Sequence, residues 1–180
     1  MAQAKIRKKF FDIEIPTIRK ETQLLAYKIE DLDGRYIKYD LTRLLRGKSV
    51  IIQLKVSVKE GKATTKPRAI LLMPAYLTRM IRKGTNYVED SFSAECKDAQ
   101  LRIKPFLITR RKVSRAVRKA LREKAREEII GYVKEQDTET IFQEILKNNL
   151  QKYLSMKLKK IYPLSLCEIR IIKVEKDKTE

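Results

Sequence analysis

The residues best suited to chemistry are the arginines and lysines between positions 110 and 126. Nine of these seventeen positions are Lys or Arg, and the only acidic residue is Glu123. Guanidinium and ammonium groups at this density bind anions, above all phosphate, through charge-assisted hydrogen bonds. Like charges four residues apart on a helix repel each other, so a basic face of one sign favours a polyanionic partner. The stretch therefore predicts nucleic acid binding, with a plain solvated face or a membrane surface as the alternatives.

The same stretch has the periodicity of an amphipathic helix, predicted from about residue 112 to residue 133. At about 100° per residue, basic side chains gather on one side of this helix and apolar side chains on the other. The basic side comprises Arg111, Arg115, Arg118, Arg122 and Arg126, and the apolar side comprises Val113, Ala116, Val117, Ala120 and Leu121. We expect the apolar side to dock on a core and the basic side to face the polyanion.

Catalytic chemistry has few residues available. The chain has no histidine, which removes the commonest general base, the His-activated nucleophiles and most transition-metal sites. The carboxylate pairs are Glu89-Asp90, Glu127-Glu128, Asp12/Glu14 and Asp31/Asp33. Two-metal hydrolysis requires several carboxylates converging on metals ~4 Å apart, whereas these pairs are flanked by basic residues, as charge balance would require. The five glycines are too scattered for a phosphate-binding loop. We expect no enzyme activity, no cofactor and no metal.

Composition extends the basic character to the whole chain. Forty-two Lys and Arg against 23 Asp and Glu give a formal net charge of +19 over 180 residues, which calls for a phosphate-rich partner. The 43% hydrophobic content supports a real core. No apolar run approaches the ~18–20 residues of a membrane span, and the N-terminus lacks the features of a signal peptide. Cys96 and Cys167 are predicted to be reduced, intracellular thiols buried on strands.

The elements that must position the basic residues begin with strands. The clearest is residues 49–58, where Val50, Ile52, Leu54, Val56 and Val58 alternate with polar residues, as in an antiparallel sheet with one wet face. Further strands are predicted at residues 10–15, 24–29, 36–41 and 68–73, followed by a hairpin of residues 87–96 and 100–109. Pro105 indicates that the last of these strands is an edge or is bulged. A short helix should begin at Pro74, with Gly84 as its left-handed stop.

After the arginine helix, two further helical segments and a strand are predicted. A capping-box pattern, Thr140-x-x-Gln143, should open the first segment. Asn148-Asn149 interrupts, and Leu150, Leu154, Leu158 and Ile161 then continue at helical spacing as core residues until Tyr162-Pro163. In the final strand Cys167, Ile169 and Ile171 should face inward, leaving Arg170 for solvent or RNA. The predicted fold class is α+β: an antiparallel β-barrel-like sheet with a C-terminal set of helices and a closing C-terminal strand.

The predicted organisation is a basic N-terminal arm, one domain and a short tail. The domain spans residues 10–176, β-rich over 10–109 and helical over 110–163, with the closing strand at 166–174 and a frayed tail at 177–180. The arm, residues 1–9, carries Lys5, Arg7, Lys8 and Lys9 without an acid. It is either a disordered solubilising tail or, as we favour, an arm that becomes ordered on RNA.

Several segments resemble the small-subunit ribosomal proteins of the S-one-e family, also called S-three-a-e, which archaea and eukaryotes share. The most specific is the run from Lys160 to Leu164, KIYPL, followed by Glu168-Ile169-Arg170. Upstream, residues 142–146 resemble that family's penultimate helix, and Arg110-Arg111 with Val117-Arg118-Lys119 resembles its arginine-rich segment, with Lys112 between them. Residues 8–12 resemble its Lys-Lys-Trp-Tyr-Asp, and residues 32–35 its Leu-x-Gly-Arg turn. The likeness covers most of the chain in the right order.

The sequence also departs from the family pattern. Phe10-Phe11 replace the Trp-Tyr pair, and Ser165-Leu166-Cys167 stand where members often carry Arg or His. The polar insert in the arginine segment is shortened to Lys112-Val113-Ser114, and the lysine-rich tails of eukaryotic members are absent. The chain resembles the compact archaeal form.

The resemblance implies a structural constituent of the small ribosomal subunit, cytoplasmic and on the ribosome. It implies a position on the platform near the messenger RNA exit, with small-subunit ribosomal RNA and neighbouring ribosomal proteins as partners. The RNA-binding residues expected are Lys5, Arg7, Lys8, Lys9, Arg110, Arg111, Lys112, Arg115, Arg118, Lys119, Arg122, Arg126 and Arg170. The alternative function is a non-specific DNA-binding chromatin protein, which would bind any duplex comparably.

Overall fold

A computed structural model of the chain describes residues 7–178. Over these residues it contains nine strands and four α-helices. The strands are β1 (Lys9–Ile15), β2 (Lys20–Ala26), β3 (Tyr36–Asp40), β4 (Val50–Lys59), β5 (Lys62–Leu72), β6 (Tyr87–Glu89), β7 (Phe92–Glu95), β8 (Ala99–Thr109) and β9 (Leu164–Asp177). The helices are α1 (Pro74–Met80), α2 (Arg115–Lys134), α3 (Thr138–Leu146) and α4 (Asn149–Leu158). No helix within the described range is long and apolar enough to cross a membrane.

The contacts divide the chain into two compact units. The N-terminal unit comprises Met1–Tyr39 and Gln53–Arg68, and the C-terminal unit comprises Asp40–Ile52 and Ala69–Glu180. Strands β4 and β5 therefore each contribute residues to both units. The single domain predicted for residues 10–176 stays a prediction, which one cooperative melting transition would support.

In the N-terminal unit, β1 and β2 form an antiparallel hairpin whose pairs run from Lys9–Ala26 to Ile15–Lys20. Strand β1 also pairs in parallel with β5, at Glu14 and Thr64. The strand predicted at residues 10–15 is confirmed, whereas the next one lies at 20–26 instead of 24–29. The core of this unit gathers the apolar side chains Ile13, Ala26, Leu32, Val56 and Ala63.

In the C-terminal unit, β9 is the central strand of an antiparallel arrangement. It pairs with the end of β5, from Ala69 to Leu71, and with β8 along its length. On its other side β8 pairs with β6 and β7, so the predicted hairpin partner of β8 is split in two. The predicted antiparallel sheet, C-terminal helices and closing strand are confirmed. Over the described residues the sheet is open and does not close into a barrel.

The register of β9 corrects the predicted inward face. Ile169 is buried as predicted, but Ile171 is only half-buried, and Glu168, Ile172 and Val174 are buried instead. The physical reason is a shift in the pairing register of β8 and β9 at Pro105. Lys104 pairs with Ile171 and Pro105 with Ile169, so Arg170 is the extra residue and the alternation changes parity there. The bulge is therefore on β9, opposite Pro105, whereas the sequence predicted that β8 itself is an edge or is bulged. Strand β8 is not an edge, because it pairs with β9 on one side and with β6 and β7 on the other. Strand β9 also runs past residue 174, since Lys178 N–H donates to Asp98 O at 2.8 Å.

The helix boundaries differ from prediction in three places. Helix α1 ends at Met80, the next residue Ile81 has an extended backbone, and Gly84 (φ +88°) lies in a later turn. Asp137, and not Thr140, precedes the first turn of α3, with no side-chain cap bond. Ile161 is 39% exposed and follows the end of α4, so it does not belong to the core. The predicted break before α4 is confirmed at Asn148 (φ +61°), and Leu150, Leu154 and Leu158 are fully buried.

Both cysteines are free thiols, and Cys167, which was predicted to be buried, is half-buried. Cys96 is buried but lies just beyond the end of β7, where its Sγ is 2.9 Å from Ala99 O. Cys167 is on β9, and burial raises the pKa of its thiol to about 12. At neutral pH this thiol is protonated, so it is a packing group and a poor nucleophile.

A buried ion pair joins the loop before β4 to β9 and α4 in the C-terminal unit. Lys48 Nζ lies 2.6 Å from Glu168 Oε2 and donates to Asn148 Oδ1 at 2.7 Å. Gln151 Nε2 donates to Ile145 O at 3.0 Å and lies 3.4 Å from Glu168 Oε2. Only 13% of the Lys48 side chain and 11% of the Glu168 side chain are exposed. Tyr76 lies near this carboxylate, and its pKa is raised by burial and then by the charge of Glu168.

Candidate nucleic-acid interface

Helix α2 has one row of buried side chains, called the buried seam below, and carries most of its basic residues outside that row. Ser114 caps the helix, with its Oγ accepting the Val117 N–H at 3.4 Å. Leu121, Ala125, Ile129 and Val133, spaced four residues apart, are buried. The first two pack with Val88, Leu107 and Leu158, residues of β6, β8 and α4. The apolar side thus docks on a core, as predicted.

The predicted basic side is only partly assembled on α2. Arg115, Lys119, Arg122 and Arg126 are exposed on the helix. Arg111 is not on it, because the helix begins at Arg115. Arg118 is half-buried, and its enclosed Nε has no hydrogen-bond partner within residues 7–178. Ala116, predicted for the apolar side, is exposed. With 3.6 residues per turn, a seam built on every fourth residue drifts around the helix, which brings Arg118 to its border.

Two of the predicted arginines form ion pairs within the chain. Arg126 forms two hydrogen bonds with Asp90, Nη2 to Oδ1 at 2.9 Å and Nε to Oδ2 at 3.0 Å. These bonds raise the pKa of the Arg126 guanidinium. Arg170 Nη1 lies 3.2 Å and 3.3 Å from the two carboxylate oxygens of Glu89. The acidic doublet at residues 89–90 therefore balances charge, as the sequence indicates. It leaves Arg126 and Arg170 less available to an external anion.

A groove of about 490 Å³ lies beside these pairs. Its lining residues are Glu89, Asp90, Ser91, Lys104, Pro105, Arg122 and Arg170. Lys104 is a basic residue that the sequence analysis missed. Its only sequence signal is its place among the polar residues that alternate with apolar ones on β8. Arg122 has no carboxylate within 4 Å among the described residues, so it is the arginine of this groove that can bind a phosphate.

Three further basic residues lie in the loop of residues 110–114, which precedes α2 and is called the arginine loop below. Arg110, Arg111 and Lys112 are exposed, and over residues 7–178 neither they nor Arg115 form an ion pair. Asn86 and the fully buried Thr109 hold this loop. Asn86 Oδ1 accepts the Val113 N–H at 2.9 Å, and Thr109 Oγ1 lies 2.7 Å from Arg111 O. Thr109 Oγ1 also accepts the Asn86 N–H at 3.1 Å. The arginine loop is therefore fixed by part-buried hydrogen bonds with Asn86 and Thr109.

Replacing Thr109 by valine is expected to lower the free energy of unfolding by about 1–3 kcal/mol, because it removes two part-buried hydrogen bonds, to the Asn86 N–H and the Arg111 carbonyl, each worth ~0.5–1.5 kcal/mol. Urea denaturation measures the change. The matched control is Thr78→Val, which removes an exposed hydroxyl bonded to Pro74 O and should have little effect. Equal stability losses in the two variants would contradict the role given to Thr109.

The basic residues Arg7, Lys8 and Lys9 belong to the N-terminal unit. Lys5 lies outside the described residues. Arg7 and Lys8 are exposed, and Lys8 Nζ lies 5.4 Å from the centre of the Tyr27 ring. Lys9 is the first residue of β1 and pairs with Ala26, so the sheet begins inside the predicted arm. Within residues 7–178 no group of three or more Cys, Asp or Glu side chains is placed to hold a metal ion.

Comparison with known proteins shows the family of this chain. The sequence matches the model of the Ribosomal S3Ae family over residues 3–178. It is 30% identical over 175 residues to small ribosomal subunit protein eS1 of Nanoarchaeum equitans, covering 91% of this chain and 87% of the relative. The eS1 proteins of Saccharolobus islandicus and Pyrobaculum arsenaticum are 29% and 30% identical, over 94% and 77% of this chain and 85% and 64% of the relatives. The chain belongs to the ribosomal S3Ae family, which confirms the resemblance found in its sequence.

Proposed function

We propose that this protein is a structural constituent of the small ribosomal subunit that binds small-subunit ribosomal RNA in the cytoplasm. The observation that carries the proposal is membership of the ribosomal S3Ae family over nearly the whole chain. The net charge of +19 and the arginine loop, which forms no ion pair with the described part of the chain, supply the positive charge that RNA binding needs. The neighbouring proteins on the platform, and messenger RNA near its exit, are part of the proposal as partners.

The proposed mechanism is phosphate neutralisation by a prefolded surface. Arg110, Arg111 and Lys112, together with Arg115 and Arg122, contact backbone phosphates. The basic residues at positions 5–9 add an arm that becomes ordered on RNA. Arg118, Lys119, Arg126 and Arg170 contribute less, since they are half-buried or paired with an acid in the free protein. Because the deep groove of A-form RNA is poorly accessible to side chains, recognition proceeds by shape and not by a base code.

Sedimentation of the native protein tests this function. A tagged copy expressed in its own cells should co-sediment with small subunits on a sucrose gradient and persist there at moderate salt. Ribonuclease treatment before the gradient should release it, whereas deoxyribonuclease should not. A protein that stays at the top of the gradient, or that follows DNA instead, contradicts the proposal. The second of these results would favour the chromatin alternative.

A further inference from the structure

The β4–β5 hairpin of the N-terminal unit carries a second basic surface. Within residues 53–68, the side chains of Leu54, Val56, Ala63 and Thr65 are buried on one face. The outward face carries four lysines and two hydroxyl residues: Lys55, Ser57, Lys59, Lys62, Thr64 and Lys66. We call these six residues the lysine ladder. None of them is among the RNA-binding residues expected from the sequence.

The turn of the hairpin fixes how the lysine ladder is paired. The two turn residues, Glu60 and Gly61, have φ angles of +50° and +76°. Positive φ at both positions is typical of a type I′ turn, which joins residues directly opposite in the two strands. Lys59 therefore faces Lys62, and Lys55 faces Lys66. The Ser57 and Thr64 hydroxyl oxygens, in the pair between them, are 3.4 Å apart, which agrees with this register.

Two like-charge pairs in one hairpin are unfavourable in the free protein. Directly opposite side chains of an antiparallel pair are close neighbours, and like charges there destabilise the sheet. Within the described residues no carboxylate lies within 4 Å of any of the four lysines. The free fold thus carries a repulsion that it does not neutralise itself, and an anionic partner would remove it.

A groove of about 280 Å³ opens along this face. Its lining residues are Asp33, Lys55, Val56, Ser57, Lys59, Lys66 and Arg68. Asp33 is the one carboxylate in the lining, and its Oδ1 accepts the Val58 N–H at 3.1 Å. The hydroxyls between the lysine pairs can donate hydrogen bonds to phosphate oxygens. Ammonium groups and hydroxyls without aromatic rings are suited to a backbone and offer no surface for base stacking.

We propose that the lysine ladder is a second RNA contact, which binds the sugar–phosphate backbone without reading bases. This inference rests on the proposed function. It assigns the β4–β5 hairpin its own contact with RNA, separate from that of the arginine loop and α2. The repulsion within the ladder is present in the free protein and is relieved when RNA supplies the counter-charge.

Charge reversal on β5 tests the proposal through two measurements. The melting temperature should rise and the affinity for RNA should fall. In Lys62→Glu/Lys66→Glu both cross-strand pairs become attractive, so the free protein should melt at a higher temperature. Its affinity for a transcript of small-subunit ribosomal RNA should fall at least tenfold, with the salt slope of binding reduced by about 1.8 on duplex regions. The charge-matched control is Lys152→Glu/Lys160→Glu, at exposed positions outside both surfaces, which should change the affinity and slope less.

Each result decides between RNA contact and a solvated face. Higher stability together with weaker binding than the control supports the proposal. Higher stability with an affinity and slope like those of the control overturns it, and lower stability overturns the register on which it depends. Failure of the proposed function is seen separately, because the unaltered protein would then neither bind the transcript nor co-sediment with small subunits.

Discussion

Replacing Lys48 by methionine is expected to lower the free energy of unfolding by about 3–5 kcal/mol, because the Glu168 carboxylate loses its cationic partner while still enclosed. Methionine has a similar length, so the change removes charge and hydrogen bonds without opening a large cavity. Lys48 also donates to Asn148, which lies at the break between α3 and α4, so that acceptor loses its donor as well. Urea denaturation of the single variant measures the loss.

Two further variants show whether the loss of stability comes from the unpaired charge of Glu168. In Lys48→Met/Glu168→Gln the carboxylate is gone, and much of the stability should return, so the two effects are strongly non-additive. Lys119→Met breaks an exposed pair with Glu123, at 3.8 Å, and should cost no more than about 1 kcal/mol. Two results would mean that the Lys48–Glu168 pair contributes as little as a surface contact. One is a loss below about 1 kcal/mol for Lys48→Met, and the other is a double variant whose stability loss equals the sum of the two single losses.

The Lys48–Glu168 pair also shows what the sequence could not reveal about the fold. Individual elements with strict alternation, such as β4, were predictable because one buried face imposes period two on the local sequence. The pair joins residues 120 positions apart. Neither residue stands in a local pattern that marks it as buried, and Glu168 lies between residues that read as an ordinary strand. Only the docking of the loop before β4 against β9 and α4 encloses both.

The inward face of β9 was mispredicted for a related reason. Alternation from Cys167 through Ile171 assumes one unbroken register, but the partner strand carries Pro105, which cannot donate a ladder hydrogen bond. The extra residue, Arg170, changes the parity, so Ile172 and Val174 take the buried positions. Pro105 signalled an irregularity in β8. Its effect on β9 depended on a pairing that the sequence does not specify.

The candidate RNA interface was predictable as a region and less so residue by residue. The density of cations at residues 110–126 pointed to the loop and α2, whose binding to RNA stays a prediction. Periodicity alone put Arg118 on the open side, although it lies at the border of the buried seam. The pairing of Arg126 with Asp90 depends on β6 and β7 packing beside α2, which links residues 36 positions apart. The number of cations therefore overstates how many are available to RNA.

Reversing Arg111, Arg115 and Arg122 to glutamate is expected to weaken binding to small-subunit ribosomal RNA about a thousandfold or more. Each arginine-to-phosphate hydrogen bond contributes at least ~1.5 kcal/mol, and about 1.4 kcal/mol corresponds to tenfold in affinity. The salt slope should fall by about 2.7 on duplex regions. Arg118 is left unchanged because it is half-buried, and Arg126 because it pairs with Asp90. Filter binding across a range of salt concentrations measures both quantities.

The fold should survive this change, so a loss of binding can be assigned to the interface. All three side chains are exposed and lie outside the buried seam of α2. Arg115 is the first residue of the helix, where glutamate is favourable to the helix dipole, and a glutamate at 122 precedes Arg126 by one turn. The charge-matched control reverses Lys152, Lys160 and Lys176, which also lie at exposed positions. If the two triple variants, both folded by circular dichroism, lose the same affinity and slope, binding depends on net charge alone, and the arginine loop and α2 are not its anchor.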